Sequence, residues 1–240
     1  MGAIIIPARI GSSRLAGKMM IDLAGSPLIA WTVRAALKTK LRVVVATDNN
    51  QIAEAATDAG AEIIMTGHCN NGTERCAEAA RKLGLKGVVV NWQGDSPLVP
   101  PEWAVALAKA VNLGQPVTTP VQLCSTKQTH AMKADFFCRQ PGGTFAAFDE
   151  NFDALYFSKS PIPYGGPHWL HVGMYAYTVE ALQEYGTNAS TLEKSEKLEQ
   201  LRWLEKGGRI VCLPMDGKPI WEVNNAADIR IVEGALRENV

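Results

Sequence analysis

Three cations, Arg9, Arg14 and Lys18, stand close together near the start of the chain, interleaved with Gly11, Ser12, Ser13 and Gly17. Glycines let a backbone approach a ligand closely, and successive N–H groups form a concave anion site. The forked Arg14 guanidinium and the compact Lys18 ammonium suit a polyphosphate. The spacing is neither a Walker-A loop nor a G-x-G-x-x-G fingerprint, and a merely solvated basic loop would have the same composition. A second group is Asn91-Trp-Gln-Gly-Asp-Ser-Pro97. Its Asp95 sits on a glycine turn, where a carboxylate can hold a divalent cation against phosphate oxygens or only satisfy its own backbone. A third, Gly72-Thr-Glu-Arg75, opens a helix. Free N–H groups there can bind an anion, although Thr73 also reads as a plain N-cap.

These groups need elements to bring them together. The short apolar runs Ala3–Ile6, Arg42–Ala46, Glu62–Met65 and Val88–Asn91 read as buried strands. Pro7 should end the first of them. Helices are predicted between them: from Leu28 to about Lys38 behind a Ser26-Pro27 cap, over Asn50–Ala59, and over Thr73–Leu83. Such alternation predicts a mostly parallel sheet with helices on both faces and ligands beyond the carboxyl ends of the strands. Further on, a helix is predicted over Glu102–Leu113 and a strand over Val117–Gln122. Lys133–Arg139 and Thr144–Phe148 around Pro141-Gly142-Gly143 read as a hairpin projecting from the sheet. His171–Tyr177 reads as one strand, Thr178–Tyr185 and Leu192–Lys206 as helices, and Arg209–Leu213 as a strand. Asn225 caps a last helix over Ala226–Asn239, with Asp228 three residues on. No linker or repeat interrupts the sequence, so residues 1–240 read as a single α/β domain.

Lys plus Arg equals Asp plus Glu at 24 each, without the basic excess of a nucleic-acid binder. Cys69, Cys76, Cys124, Cys138 and Cys212 are odd in number and lack a C-x-x-C pair, which suggests neither a disulfide framework nor a zinc site. No apolar run reaches the ~18 residues of a membrane span. A reduced, cytoplasmic setting is the expectation.

The ordered string Ile6-Pro-Ala-Arg-Ile-Gly-Ser-Ser-Arg-Leu-Ala-Gly-Lys18 resembles the signature loop of sugar nucleotidyltransferases, in particular the 3-deoxy-manno-octulosonate (Kdo) cytidylyltransferases. Gln93-Gly-Asp95 resembles that family's Gln-Gly-Asp-Glu-Pro segment, and Gly72-Thr-Glu-Arg75 its nucleotide-contacting helix start. Leu170-His-Val-Gly-Met-Tyr-Ala-Tyr177, Tyr156-Phe-Ser-Lys-Ser-Pro-Ile-Pro163 and Lys197-Leu-Glu-Gln-Leu-Arg202 are similar to its sugar-side stretches. The resemblance runs from Ile4 to about Ile229. It implies a Rossmann-like three-layer αβα nucleotidyltransferase fold, with a sugar and dimer region at about 130–175. The implied activity transfers CMP from CTP to an acidic 3-deoxy sugar, with Mg²⁺, in a homodimer. Arg14, Lys18 and Asp95 become the catalytic residues. Pro7, Ala8, Arg9, Gly11, Ser12, Ser13, Gly72, Thr73 and Arg75 join Arg14 and Lys18 around the nucleotide. Gln93, Lys159, His171, Tyr175, Glu199 and Gln200 face the sugar, and Asp95 and Asn224 hold the metal.

The sequence departs from the family at several of these positions. Ala16 replaces a proline, Ser96 an acidic or amide residue, and Lys159 an arginine, so a point charge stands where a planar fork is usual. Asn224 takes the place of a second metal-binding aspartate; its amide oxygen can ligate but carries no charge. Two alternatives stay open on these grounds. One is activation of a different acidic sugar, such as 8-amino-Kdo or a nonulosonate. The other is a nucleotide-binding homologue without catalysis.

Overall fold

The computed structural model describes residues 2–11, 15–138 and 142–238. The first half contains β1 (Ala3–Ala8), a 3-10 turn (Lys18–Met20), the short strands β2 (Asp22–Leu23) and β3 (Ser26–Pro27), α1 (Leu28–Leu37), β4 (Arg42–Thr47), α2 (Asn50–Asp58), β5 (Glu62–Met65), α3 (Gly72–Lys82) and β6 (Val88–Trp92). There follow α4 (Pro101–Asn112), β7 (Val117–Leu123), α5 (Thr126–Phe137), β8 (Phe145–Phe148), β9 (Ala154–Ser158), β10 (Trp169–His171) and β11 (Met174–Thr178). The chain ends with α6 (Val179–Glu184), α7 (Thr191–Glu196), α8 (Leu201–Glu205), β12 (Val211–Pro214) and α9 (Ala226–Glu238).

Strands from both halves form one 10-stranded sheet in the order β5-β4-β1-β6-β11-β7-β10-β8-β9, with β12 also on β7. β5, β4, β1 and β6 run parallel, whereas β11 and β10 enter antiparallel. The pleat sends alternate side chains to opposite faces. Ile4, Ile6, Val43, Val45, Val90 and Trp92 meet α1, α2 and α4. Ile5, Ala46, Val89, Tyr175 and Tyr177 meet α3, α6 and α8 on the other face. This is the expected three-layer arrangement. Strand order reverses at β1, which has β4 on one side and β6 on the other, and that reversal opens a crevice past the ends of β1 and β6. Among the described residues, no helix is long and apolar enough to cross a membrane.

Several local expectations are corrected. β1 continues through Pro7 to Ala8 along β4. Its pairing with β6 stops at Ile5↔Asn91, so on that side the missing N–H of Pro7 breaks no ladder. Ser26 does not cap α1. It lies in the β2–β3 hairpin, whose two-residue loop places Ala24 and Gly25 at positive φ. α3 is capped by Asn71, whose side chain accepts from the Glu74 N–H at 2.8 Å, and not by Thr73. Residues 133–137, expected as a hairpin arm, belong to α5, which starts in a Ser125/Gln128 capping box. Arg139 and Pro141 lie outside the described residues. The hairpin that exists is β8–β9, at the sheet edge.

The strand expected over His171–Tyr177 is divided. Its register against β7 slips between His171↔Val121 and Ala176↔Thr118, making a bulge at Val172-Gly173. The helix expected over Leu192–Lys206 breaks at Lys197, which adopts φ 56°. A left-handed lysine costs about 1–2 kcal/mol. Burial of Leu198 and of Arg202 against Glu193 offsets that cost.

Candidate active site

Two cavities meet in the crevice. The smaller, about 270 Å³, is lined by Pro7, Ala8, Arg9, Gly11 and Lys18 from the first loop and by Asn70, Asn71, Gly72 and Arg75 at the start of α3. The larger, about 400 Å³, is walled by Lys159, His171, Tyr175, Gln200 and Asn224 among others. Gln93, Asp95 and Glu199 line both. A volume of this size holds a small polar metabolite. The three shared residues mark where molecules in the two cavities would touch.

The junction is fixed by the Gln93–Pro97 turn. The Thr32 hydroxyl donates to the Gly94 carbonyl at 2.8 Å, and Trp92 Nε1 donates to the Ser96 carbonyl at 3.0 Å. Lys18 Nζ donates to Asp95 Oδ2 and pairs with it. The Asp95 carbonyl accepts from the Val223 N–H at 3.1 Å, which ties the stretch before α9 to the same turn. Gly72 allows a close approach, because a Cβ would lie 3.0 Å from Gln93 Nε2 and 3.3 Å from Pro7 Cγ and would push on the Gln93 side chain. The start of α3 therefore closes directly onto the ends of β1 and β6.

Not every expected contact faces a cavity. Thr73 is buried; its N–H donates to Glu199 Oε2 at 3.2 Å and its hydroxyl bonds the Tyr177 hydroxyl at 3.3 Å. Arg75 reaches the smaller cavity while its guanidinium pairs with Asp48 at 2.7 Å and also donates to Thr66 Oγ1. Ser12, Ser13 and Arg14 lie outside the described residues. Lys159 donates to the Gly143 carbonyl at 3.1 Å and to Thr144 Oγ1 at 2.8 Å. Gln200 is buried, and its Nε2 has no hydrogen-bond partner among the described residues. An unsatisfied buried amide donor is costly, so one on a cavity wall fits a ligand hydroxyl. Glu199 is half-buried; desolvation raises its pKa, and the Thr73 N–H opposes that shift.

His171 is buried between β7 and the cavity. Thr119 Oγ1 donates its single proton to the Met174 carbonyl at 2.8 Å, so the His171 Nε2 partner 3.0 Å away must be the donor. The ring is therefore the neutral Nε2–H tautomer. Burial, aided by the Lys159 charge, pushes its pKa down to about 3. The unfolded side chain titrates near its usual value of about 6.5. The stability contributed by neutral His171 is thus complete above about pH 6.5 and falls as pH drops toward about 3. Denaturant unfolding at a series of pH values should show this slope, and His171→Gln should flatten it. The same slope in the variant would mean that His171 is not buried neutral.

Sequence reasoning missed Glu222, Trp221 and Asp228 on the wall of the larger cavity. For Glu222 a signal existed: it stands two residues before Asn224 in a stretch without helix, so the two side chains share a side. Burial first, and the Asp95 charge second, raise its pKa. Asp228 Oδ2 accepts from the Asn224 and Asn225 N–H groups at 2.8 and 2.9 Å, as the expected cap of α9 requires. Asp95, Glu222 and Asn224 present oxygen donors to one cavity. Such a set fits a hard divalent cation, and the Lys18 ammonium on Asp95 shows that the position accepts positive charge.

Residues 3–210 match the family model "Cytidylyltransferase". A protein of Anaeromyxobacter sp. (strain Fw109-5), named 3-deoxy-manno-octulosonate cytidylyltransferase, is 44% identical over 221 residues, 87% of this chain and 86% of the relative. One of the same name from Chlorobium phaeobacteroides is 42% identical over 245 residues, 98% and 96% of the two chains. A solved CMP:2-keto-3-deoxy-manno-octonic acid synthetase complexed with CTP superposes with a TM-score of 0.87 at 31% identity, covering 100% of this chain and 99% of its own.

Proposed function

The chain belongs to the cytidylyltransferase family, and on that premise we propose that it transfers CMP from CTP to Kdo, releasing diphosphate. The observation that carries this reading is the pair of cavities joined at Gln93, Asp95 and Glu199. CTP takes the smaller cavity, with its triphosphate along the first loop, and the acidic sugar takes the larger. The anomeric hydroxyl attacks the α-phosphorus, a new O–P bond forms, the bond to the bridging oxygen breaks, and the hydroxyl proton is lost. Such transfer asks the protein mainly for in-line positioning and for charge opposite the leaving group.

Gln93 and Glu199 set the height at which the two ligands meet. Gln200 Nε2 donates to a sugar hydroxyl, and the Lys159 ammonium attracts the sugar carboxylate. Lys18, with Arg14, faces the departing diphosphate. Asp95 and Asn224 hold Mg²⁺, which when bound neutralises triphosphate charge and makes the attacking hydroxyl more acidic. We also place the enzyme in the cytoplasm as a homodimer joined through about 130–175. Its cysteines are free, and Phe137 and Leu155 stand exposed in that region, which supports both statements.

Diphosphate release from CTP with magnesium, measured across Kdo, 8-amino-Kdo and a sialic acid, tests the reading. Release with Kdo is the expected result. Release with another sugar alone would move the substrate, and CTP binding without any release would favour a non-catalytic homologue.

A further inference from the structure

We propose that Glu222 supplies the second carboxylate of the cation site, in place of the charge that Asn224 does not carry. The inference rests on the reading of the chain as a metal-dependent cytidylyltransferase. Between β12 and α9 the chain passes Asp95 with alternating side chains. Val223 is fully buried with Leu23, Leu28, Val232 and Leu236, while its N–H holds the Asp95 carbonyl. Glu222 and Asn224 consequently project the other way, onto the cavity wall that Asp95 shares.

Two contacts fix the Glu222 carboxylate. Its Oε1 accepts from the Gly173 N–H at 3.3 Å, and a Cβ at position 173 would lie 3.2 Å from that oxygen, so glycine there leaves it room to approach. Ser96 Oγ stands 3.3 Å from Glu222 Oε1 and 3.5 Å from Asp95 Oδ1. One hydroxyl proton cannot serve both carboxylates at once. Glu222 Oε2 takes no hydrogen bond among the described residues. Two carboxylates bridged by one small hydroxyl, with a neutral amide oxygen alongside, have the charge and hardness for one divalent ion. Lys18 pairs with Asp95, whereas Glu222 forms no ion pair among the described residues and feels the Lys159 and Lys18 charges only at longer range. Ser96 thus keeps the two acids within reach of a shared ion, although it brings no charge of its own.

Glu222→Gln separates this role from a structural one, because the glutamine oxygen still accepts from Gly173 and Ser96 while the charge is gone. Mn²⁺ is titrated into CTP-saturated protein, and free Mn²⁺ is read by electron paramagnetic resonance against CTP alone. Glu222→Gln should bind the ion at least about tenfold more weakly, with its melting temperature kept. Adding Asn224→Asp to that variant should restore affinity. Wild-type affinity in Glu222→Gln, or no recovery in the double variant, overturns the proposal. No protein-dependent Mn²⁺ uptake in the wild type would remove the metal reading and the proposal together. Diphosphate release from CTP and Kdo, measured in parallel, shows separately whether the enzymatic reading stands.

Discussion

Lys18→Ala is expected to lower kcat by about 10²–10³, judged by the loss of one preorganised donor from a site of developing charge. Lys18 is 7% exposed, held in a 3-10 turn behind Gly17, and lies at the wall of the smaller cavity, where the proposed function places CTP. On the proposed reading the ammonium is held at the site before reaction and exchanges Asp95 for the diphosphate when the ligands bind. Charge on the leaving diphosphate grows along the reaction, so kcat should fall more than the KM for CTP rises. A second explanation is that Lys18 only steadies Asp95, its partner in the ion pair. The two accounts differ in metal binding. If the lysine merely steadied Asp95, Lys18→Ala would weaken Mn²⁺ binding to the CTP-saturated protein along with turnover; if it serves the diphosphate, turnover falls while Mn²⁺ affinity is kept or raised. Steady-state diphosphate release beside the Mn²⁺ titration, with melting curves to show that the variant folds, distinguishes them. Near-wild-type turnover in Lys18→Ala would end the assigned role.

The parallel half of the fold was legible because its signals are local and agree with one another. Glu62–Met65 is found with its expected ends, and Arg42–Thr47 and Val88–Trp92 each run one residue further. Continuous apolar runs between helices bounded by Gly60 and Gly84 leave little choice of topology. α5 escaped because none of its residues is buried, so it has no apolar periodicity; its capping box was the only available sign. The break at Lys197 escaped for the opposite reason. Leu198 and Leu201 fit an unbroken helical stripe equally well, and what bends the chain is a distant burial of charge. In the site, the shared wall of Gln93, Asp95 and Glu199 was assembled from motifs far apart in sequence. Glu222 lies outside those motifs, and its relation to Asp95 comes from tertiary contacts, Val223 N–H to the Asp95 carbonyl and the Ser96 hydroxyl between the two carboxylates.

Arg202→Met should destabilise the protein by about 3–5 kcal/mol and lower Tm by about 10 °C. Arg202 is fully buried. Its guanidinium forks onto Glu193 at 2.6 and 2.7 Å, donates to Glu74 at 2.8 Å and to the Gly186 carbonyl at 2.7 Å, and lies 4.2 Å over the Tyr185 ring. Methionine roughly fills the volume but strands two carboxylates in a dry interior, and that uncompensated charge makes the loss large. The pair itself need not be worth so much. Adding Glu74→Gln and Glu193→Gln to Arg202→Met should therefore recover most of the lost stability. The consequence reaches the active site through α3. Glu74 Oε2 accepts from the Asn70 N–H and from its Nδ2 at 3.0 and 2.8 Å, and Glu193 Oε1 accepts from Asn71 Nδ2 at 3.3 Å. Asn70, Asn71 and Gly72 line the smaller cavity, which the proposed function gives to CTP. Arg202→Met should accordingly weaken CTP binding below its new melting point, whereas turnover at saturating CTP should change much less. Unchanged melting would show that the buried carboxylates are satisfied without the arginine. A loss of turnover with CTP affinity intact would place the network on the sugar side of Glu199 instead.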